Sequence, residues 1–287
     1  MSSGTQGPPR QVSHLPPSLT ICAVDDITPQ LAADALRRSC LKMRFDRAVL
    51  LSSARPATLA AGIEHVAIPA LASRDAYSRF ILRDLHHHID TTHVLIVQWD
   101  GFVLDGTAWD GAFAAYDYIG AVWDWHAQRR VGNGGFSLRS RKLLKAVAEI
   151  APEQTAGLGE DEMICRVLAA RLESEFGIVF APEALARRFA YERALPDGRT
   201  FGFHGFFNLW RHLGDDDLLE ITAALPVGLV RSREFLEYAA CCLAVKKYSA
   251  AHAAMRRLLA CVGGDGLDAH FRQAGVAPEF AKMLLEI

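Results

Sequence analysis

The stretch His93-Val-Leu-Ile-Val-Gln-Trp-Asp-Gly101 contains a short apolar run that is followed directly by polar residues. A run of this length, bounded in this way, predicts a buried β-strand with Asp100 at its carboxyl end. A second apolar run, Leu19 to Val24, ends in the same way at Asp25. Because ligands of parallel sheets bind outside the carboxyl ends of the strands, both carboxylates mark a candidate binding site.

Short strands and helices are predicted to alternate through the first hundred residues. Strands are expected at Arg47–Leu51 and His65–Ile68. Apolar residues recur with helical spacing over Leu31–Cys40 and Arg74–Ile89. This alternation predicts an α/β fold whose strands are largely parallel.

Three further strands are expected in the middle of the chain, at Tyr116–Trp123, Phe136–Arg139 and Ile178–Ala181. Beyond residue 212 the pattern is that of amphipathic helices, with Val227–Val230 as the one strand-like run. We therefore expect a disordered, Pro-rich leader at residues 1–18, an α/β domain at residues 19–212 and a small helical unit at residues 213–287.

Composition excludes several classes of protein. The chain has 287 residues, of which 51% are hydrophobic and 22% are charged, so it can bury a large core and is not disordered as a whole. Its net charge of −2 gives no field that would attract nucleic acid, and none is expected as a partner. The six cysteines show no CxxC spacing, which suits a reducing compartment. With no signal peptide and no apolar run of about 20 residues, a cytoplasmic protein without a transmembrane segment is expected, although it could still contact a membrane surface.

A glycine-rich segment, Gly132-Asn-Gly-Gly135, permits unusual backbone angles and close approach of a ligand. Its spacing matches neither a dinucleotide fingerprint nor a P-loop, and an ordinary tight turn would explain it equally well. Aromatic residues lie just upstream of it, at Tyr116, Tyr118, Trp123 and Trp125. They predict either a wall that stacks on sugar rings and bases or a part of the core.

Polar residues at three other places could carry chemistry. Asp100, followed by Gly101, could ligate a divalent metal or simply end a turn. Gly159-Glu-Asp-Glu162 opens a predicted helix, where acids commonly act as caps but could also deprotonate a hydroxyl. His204 lies in Phe201-Gly-Phe-His-Gly205 and could contact a metal or a phosphate, or have a structural role.

Several segments occur together in an order that resembles a known family. They are SRDAYSRF (73–80), VLIVQWDGFVL (94–104), YDYIGAVW (116–123), VGNGGFSLRS (131–140), GEDEMIC (159–165), FAPEALARRFAYE (180–192) and FGFHGFFN (201–208). The chain resembles, over residues 19–212, a bacterial and fungal domain family of unknown function that is similar to GT-A nucleotide-sugar glycosyltransferases. The resemblance implies a GT-A-like (Rossmann-like) fold, with a mixed, mostly parallel sheet flanked by helices.

The resemblance also implies where a donor would bind. In GT-A enzymes an acidic motif at a strand end holds a divalent cation, usually Mn²⁺, on the donor diphosphate; here Asp100 and His204 match the metal ligands. Gln98 stands where a first acid is often found, which departs from the pattern. The residues implied in nucleotide-sugar binding, the donor being expected to be UDP-linked, are Asp25, Arg74, Tyr77, Ser78, Gln98, Asp100, Gly134 and Gly135.

By the same resemblance, the glycine loop followed by acids is similar in order to the beta-galactosyltransferase arrangement. Asp161 is implied as the catalytic base of an inverting transfer, with Glu160 as the next choice. Trp123 and Asn133 are implied in binding the acceptor, which would be a glycan or a lipid-linked hydroxyl compound in polysaccharide biosynthesis.

Two other functions remain open on the sequence. The missing first acid favours a non-catalytic module that binds a nucleotide or sugar for a glycan-assembly system. A nucleotidyltransferase would need a glycine-rich phosphate loop early in the chain, and the loop after Val24 contains no glycine. The C-terminal helices could mediate formation of a homo-oligomer, pack on the catalytic domain or hold a partner.

Overall fold

The main sheet has six strands in the order β3-β2-β1-β4-β6-β5. They are β1 (Leu19–Val24), β2 (Arg47–Ser52), β3 (Ile63–Ala67), β4 (His93–Val97), β5 (Tyr118–Gly120) and β6 (Phe136–Ser140). The structure is a computed structural model that describes residues 18–155, 157–276 and 281–282. All but the last residue of the expected leader at 1–18, and the last part of the expected helical unit, lie outside the described residues.

The sheet is mixed and mostly parallel, as expected. In β1, Ile21 lies opposite Ala48 of β2 and Leu95 of β4, and both pairings are parallel. In contrast, β6 runs antiparallel to both β4 and β5. Because β1 and β4 are parallel neighbours, the residues after Val24 and Val97 emerge at the same edge of the sheet.

Helices cover both faces of the sheet and form the end of the described chain. They are α1 (Pro29–Cys40), α2 (Arg74–Arg83), α3 (Arg141–Ile150), α4 (Glu160–Glu162), α5 (Ala169–Phe176), α6 (Glu183–Phe189), α7 (Asp215–Ala224), α8 (Val227–Val230), α9 (Arg233–Ala244), α10 (Tyr248–Val262) and α11 (Gly264–Gln273). A π-helical turn at Met163–Val167 joins α4 to α5, and β7 (Ala190–Tyr191) pairs with β8 (Gly202–Phe203) in a small second sheet. None of the helices in the described part of the chain is long and apolar enough to cross a membrane.

Alternation of side chains along β1 explains why the sheet is covered on both faces. Ile21 lies in the same buried cluster as Leu36 of α1, whereas Cys22 lies in the cluster that contains Phe80 and Ile81 of α2. A strand buried on both faces reads as a continuous apolar run because both sets of side chains are removed from water. The flanked, mostly parallel sheet expected from the sequence is thus confirmed.

Some expected elements differ in extent. Ile178–Ala181 forms one isolated bridge, between Phe180 and Tyr118, rather than a strand. The expected helix at Arg74–Ile89 ends at Arg83 and is followed by a separate 3₁₀ turn at Leu85–His88. The apolar run Val227–Val230 is helical, since Pro226 supplies a first turn for α8 and the carbonyl of Pro226 accepts from Val230. These short apolar runs carry too little periodicity to distinguish a strand from a helix.

The C-terminal helices share a core with the α/β part. Leu31 of α1 and Phe206 belong to the same buried cluster as Leu218, Phe235 and Leu258 of the helices beyond residue 212. An ion pair adds to this contact, since Arg38 of α1 donates to Asp217 of α7 at 2.6 Å. The helical unit therefore packs against the domain that precedes it.

Candidate functional site

Two cavities lie side by side at the edge of the sheet where β1 and β4 end. The first has a volume of about 510 Å³ and a polar lining, and the second has a volume of about 560 Å³ and a more apolar lining. Arg74, Tyr77 and Gln98 line both. We call them the polar pocket and the apolar slot. An elongated ligand with one polar and one apolar end would fit across this shared wall.

His204 is held between two carboxylates at one side of the polar pocket. Its Nε2 lies 3.3 Å from Oδ1 of Asp100, and its Nδ1 lies 3.0 Å from Oε1 of Glu192. Burial by itself would lower the pKa of His204, but Asp100 and Glu192 raise it well above its usual range. The second oxygen of Asp100 accepts a hydrogen bond from the backbone N–H of Phe206 at 3.0 Å, which fixes the carboxylate.

Gln98 links this cluster to α2. Its Nε2 donates to the hydroxyl of Tyr77 at 3.0 Å, and its Oε1 lies 3.2 Å from Nε2 of His204. A carboxylate could accept from the histidine but could not donate to Tyr77. The amide at this position, which departs from the acidic motif, therefore has a role that an ionised aspartate could not fill.

The glycines of the 132–135 loop make room for side chains of the protein itself. A Cβ on Gly135 would overlap the ring of His204, and one on Gly134 would overlap the carboxylate of Glu160. Asn133 adopts a left-handed backbone, with φ of 70°, which Asn tolerates better than most residues. Its Oδ1 accepts from the N–H of Phe136 at 3.1 Å, and its Nδ2 lies 3.0 Å from Nδ1 of His204.

Glu160 forms a buried ion pair with Arg139 beneath the glycine loop. The two nitrogens Nη1 and Nη2 of Arg139 donate to the two carboxylate oxygens at 2.7 and 2.8 Å. The Arg139 side chain has no exposed surface, and that of Glu160 is 4% exposed. Burial raises the pKa of Glu160, and the guanidinium of Arg139 opposes that rise. Because both of its oxygens face Arg139, Glu160 is poorly placed to accept a proton from a substrate.

Asp161 follows Glu160 on α4 and lines the polar pocket. Its Oδ2 accepts from the N–H of Gly134 at 2.9 Å, and its Oδ1 accepts from the N–H of Glu162 at 2.9 Å. These backbone donors hold the carboxylate still, and each oxygen keeps a lone pair for another donor. Of the two acids predicted as bases, Asp161 is the one that faces the pocket without a cationic partner among the described residues.

Three residues of α2 line the polar pocket. Arg74 is exposed and makes no hydrogen bond or ion pair within residues 18–155, 157–276 and 281–282. The Ser78 hydroxyl is buried and, in the same ranges, has no hydrogen-bond partner. Tyr77 lies between them and accepts from Gln98, so its own proton is available to a ligand.

The aromatic residues upstream of the glycine loop have different positions. Tyr118 is fully buried and donates to the carbonyl of Asn133 at 3.0 Å, and Trp123 is 4% exposed. Trp125 is 56% exposed and lines the polar pocket, with its ring centroid 6.2 Å from that of Trp123. Although Trp123 also touches the pocket, Trp125 presents the accessible aromatic surface.

Asp25 lines the apolar slot rather than the polar pocket. Its Oδ1 accepts from the N–H groups of Ile27 and Thr28, at 2.8 and 2.6 Å, and its Oδ2 accepts from the Thr28 hydroxyl at 2.9 Å. Burial raises the pKa of Asp25. The carboxylate thus shapes the β1–α1 turn as well as one wall of the slot.

The structure places Asp25 in the slot, and it places the other predicted residues around the polar pocket except for Asp100. Asp100 lines neither cavity and contacts the pocket through His204. The structure adds residues that sequence reasoning did not single out, chiefly Glu192 and Arg193 near the histidine, and Pro226, Gly228 and Leu229 along the slot. Glu192 ends the segment FAPEALARRFAYE, so it carried a weak signal. The slot residues at and beside α8 carried none, because nothing local relates them to slot residues that lie about 130 to 200 positions earlier in the chain.

The chain belongs to the family described as "Protein of unknown function (DUF5672)", whose family model matches residues 61–204. The match includes α2, the glycine loop, α4 and His204, which together form most of the polar pocket. It does not include β1 or the helices beyond residue 212. No curated protein matches this chain in sequence.

Solved structures with a similar arrangement include three glycosyltransferases. The mannosyltransferase PcManGT from Pyrobaculum calidifontis, in complex with GDP-Man and Mn²⁺, is 12% identical with a TM-score of 0.42, over 95% of this chain and 79% of that one. The galactosyltransferase LgtC, in complex with donor and acceptor sugar analogs, is 13% identical with a TM-score of 0.37, and the similarity covers 64% of this chain and 86% of that one. The apo-form glycosyltransferase GlyE of Streptococcus pneumoniae TIGR4 is 10% identical with a TM-score of 0.41, and the similarity covers 64% of this chain and 53% of that one. The family assignment rests on the sequence match alone.

We expect Glu160→Gln to destabilise the protein strongly. The substitution leaves the buried guanidinium of Arg139 without its counter-charge, and breaking such a pair costs about 3–5 kcal/mol. Urea-induced unfolding measures the change. Glu175→Gln is the matched control, because Glu175 pairs with Arg171 on the exposed side of α5, where a pair contributes only about 0.3–0.5 kcal/mol. Equal unfolding midpoints for the two variants would contradict a structural role for Glu160.

Proposed function

We propose that this member of the DUF5672 family is a glycosyltransferase that moves a sugar from a nucleotide-sugar donor to a hydroxyl acceptor. The observation that carries the proposal is the shared wall of Arg74, Tyr77 and Gln98 between an apolar slot and a polar pocket. A nucleotide sugar has three parts in a matching order: a flat base for the apolar slot, an anionic diphosphate for the shared wall and a hydroxyl-rich sugar for the polar pocket. The motif resemblance over residues 19–212 agrees with this placement.

The donor diphosphate is placed at the shared wall. Arg74 lies there as an exposed cation with no ion pair among the described residues, and a guanidinium binds phosphate oxygens through paired N–H donors. The Tyr77 proton and the buried Ser78 hydroxyl supply further donors on the same helix. A diphosphate in this position would direct the nucleoside, which we expect to be uridine, toward Asp25 and the slot. It would direct the sugar toward Gly134, Gly135 and Asp161 in the polar pocket.

A divalent cation, which we propose to be Mn²⁺, would be held by Asp100 and His204, and the histidine would release a proton as the cation binds. Oδ1 of Asp100 and Oε1 of Gln98 lie 3.3 and 3.2 Å from Nε2 of His204, so three oxygen and nitrogen donors converge. Within the described ranges no group of three or more His, Cys, Asp or Glu side chains could hold a metal ion. A cation held by so few side chains would take most of its ligands from substrate phosphates and water. Such a cation would neutralise the charge of the leaving diphosphate.

Asp161 is proposed as the general base. Its carboxylate faces the polar pocket and is oriented by the N–H groups of Gly134 and Glu162. It would take the proton of the acceptor hydroxyl as that oxygen attacks the sugar from the side opposite the diphosphate, which inverts the sugar centre. Glu160 would support this step indirectly, because its pairing with Arg139 anchors the start of α4.

The acceptor is proposed to enter at the open side of the polar pocket, next to Trp125. Trp123 and Asn133, which were expected to contact the acceptor, are buried and packed or bonded within the protein. They would support this side of the pocket from behind, and Trp125 would provide the surface on which a sugar ring can stack. A glycan is the acceptor that this polar, aromatic-edged opening favours.

Binding of the donor is the first test. Isothermal titration of the purified chain with UDP-, GDP-, ADP- and dTDP-linked sugars should show saturable binding of one class that strengthens when MnCl₂ is added. Release of nucleoside diphosphate in the presence of an acceptor sugar then reports transfer. Absence of binding to every donor would contradict the proposal. Binding without transfer or hydrolysis would instead favour a non-catalytic nucleotide-sugar module.

We expect Asp161→Asn to lower the turnover number by about 10²–10⁴-fold, the usual contribution of a general base. Donor affinity should stay near that of the wild type, since the amide oxygen still accepts from the N–H of Gly134. Release of nucleoside diphosphate measures turnover, and titration measures affinity. Glu162→Gln is the matched control, because it removes an adjacent charge from the same pocket. Full activity of Asp161→Asn would exclude Asp161 as the base.

Glu192→Gln should weaken Mn²⁺ binding by about 10–100-fold, because carboxylates that orient a metal-binding histidine contribute this much to affinity. Glu192 lies 3.0 Å from Nδ1 of His204, which would direct Nε2 toward Asp100. Electron paramagnetic resonance of free Mn²⁺ measures binding without any turnover. Glu237→Gln, which removes a nearby surface charge that pairs with Arg193, should leave it unchanged. Equal Mn²⁺ affinity in both variants would refute the positioning role.

A further inference from the structure

The apolar slot has walls from two parts of the chain that are far apart in sequence. One side comes from the α/β part, with Val24, Leu71 and Trp99, and the other comes from Pro226 and Leu229 around α8. The helical unit beyond residue 212 therefore reaches the same cavity as the ends of β1 and β4. Neither side would enclose a ligand without the other.

The α8 wall is held firmly from behind. Leu225 and Val230, which flank the residues of the slot, are buried in the C-terminal core. Arg257 of α10 donates to the carbonyl of Leu225 at 3.1 Å, just before α8 begins. These contacts make α8 a fixed part of the fold rather than a loose connection between α7 and α9.

The residues of α8 differ in the direction that they face. Gly228 and Leu229 line the slot, whereas Val227 does not line it and is 46% exposed. A Cβ built on Gly228 meets no other atom within 4 Å, so a side chain at this position would enter open space. Because Gly228 itself lines the slot, this open space adjoins it.

The slot continues into the site that carries the proposed chemistry. Arg74, Tyr77 and Gln98 line it together with the polar pocket, so a ligand in the slot would present its next group to the guanidinium of Arg74. Trp99 offers a flat aromatic surface in the slot, where its ring lies 5.7 Å from that of Phe206. A ligand with a flat heterocycle joined to an anionic group would match these neighbouring surfaces, the heterocycle against Trp99 and the anion against Arg74.

We infer that α8, through Gly228 and Leu229, forms the outer wall of the subsite for the nucleobase, so that the C-terminal helical unit takes part in donor recognition. This inference rests on the proposed function. It assigns the C-terminal helices a role that the sequence left open among oligomerisation, packing and partner binding. It also predicts that the size of the residue at position 228 controls which bases enter.

The test compares Gly228→Trp with Val227→Trp in the full chain. Isothermal titration with UDP, GDP, ADP and dTDP in the presence of MnCl₂ identifies the diphosphate that the wild type binds. For that diphosphate, Gly228→Trp should raise Kd by more than about tenfold, because the indole occupies the base subsite. Val227→Trp, which adds the same bulk one residue away on the exposed side, should leave Kd unchanged.

Inorganic pyrophosphate is the second probe, since it has no base and would contact only the anion-binding end. Its affinity should be equal in the wild type and in Gly228→Trp, which also shows that the variant is folded. Gly228→Leu is the smaller alternative should the Trp variant fail to fold, and it should weaken diphosphate binding in the same direction. A wild type that binds none of the four nucleotides would overturn the proposed function and this inference with it. Tight nucleotide binding that Gly228→Trp leaves unchanged would overturn the inference alone.

Discussion

Arg139 and Glu160 hold the floor of the candidate site through a charge pair that is removed from water. Each ion would be strongly disfavoured there without the other, and their double hydrogen bond compensates for the lost hydration. The pair joins the last residues of β6 to the first residue of α4. Since Asp161 follows directly, the position of the proposed base depends on this ion pair. The lack of a side chain at Gly134 is a consequence, because the carboxylate of Glu160 occupies the space that a Cβ would need.

A second consequence concerns the glycine loop. Loops of this composition suggest a ligand that approaches the backbone, yet here His204 and Glu160 fill the space above Gly135 and Gly134. The loop thus sets the positions of protein groups, and these groups in turn line the pocket. Gln98 shows the same principle, because its amide connects the Tyr77 hydroxyl to the His204 cluster and a carboxylate could not donate in this way.

The C-terminal helices also support the candidate site, because they pack against residues that contact it. Their buried cluster includes Leu31 of α1 and Phe206, and Phe206 also donates its N–H to Asp100. Packing of the helical unit is therefore connected through one residue to the strand-end carboxylate. The same packing brings α8 to the rim of the apolar slot. The contacts that hold the C-terminal unit on the α/β part would therefore also support binding of the donor.

The sequence alone determined most of the strands and the sheet edge at which the candidate site lies. Apolar runs such as Leu19–Val24 and His93–Val97 have the bounds that the structure shows, because strands buried on both faces must be apolar throughout. The carboxyl ends of parallel strands share an edge, which predicted that Asp25 and Asp100 would lie at the same edge of the sheet. Where an apolar run was short and showed no strand or helix periodicity, as at Ile178–Ala181, the sequence could not determine which secondary structure forms.

Only the tertiary structure decided which of these residues line the two cavities. Nothing in Glu160-Asp161 distinguishes a buried partner of Arg139 from an accessible carboxylate, since that choice depends on β6, which lies 20 residues earlier. The same holds for buried Trp123 and exposed Trp125, and for Glu192 beside His204. The contribution of α8 to the slot depends on packing between segments about 130 to 200 residues apart. Local patterns set which elements form, and contacts between distant segments set which side chains remain free for chemistry.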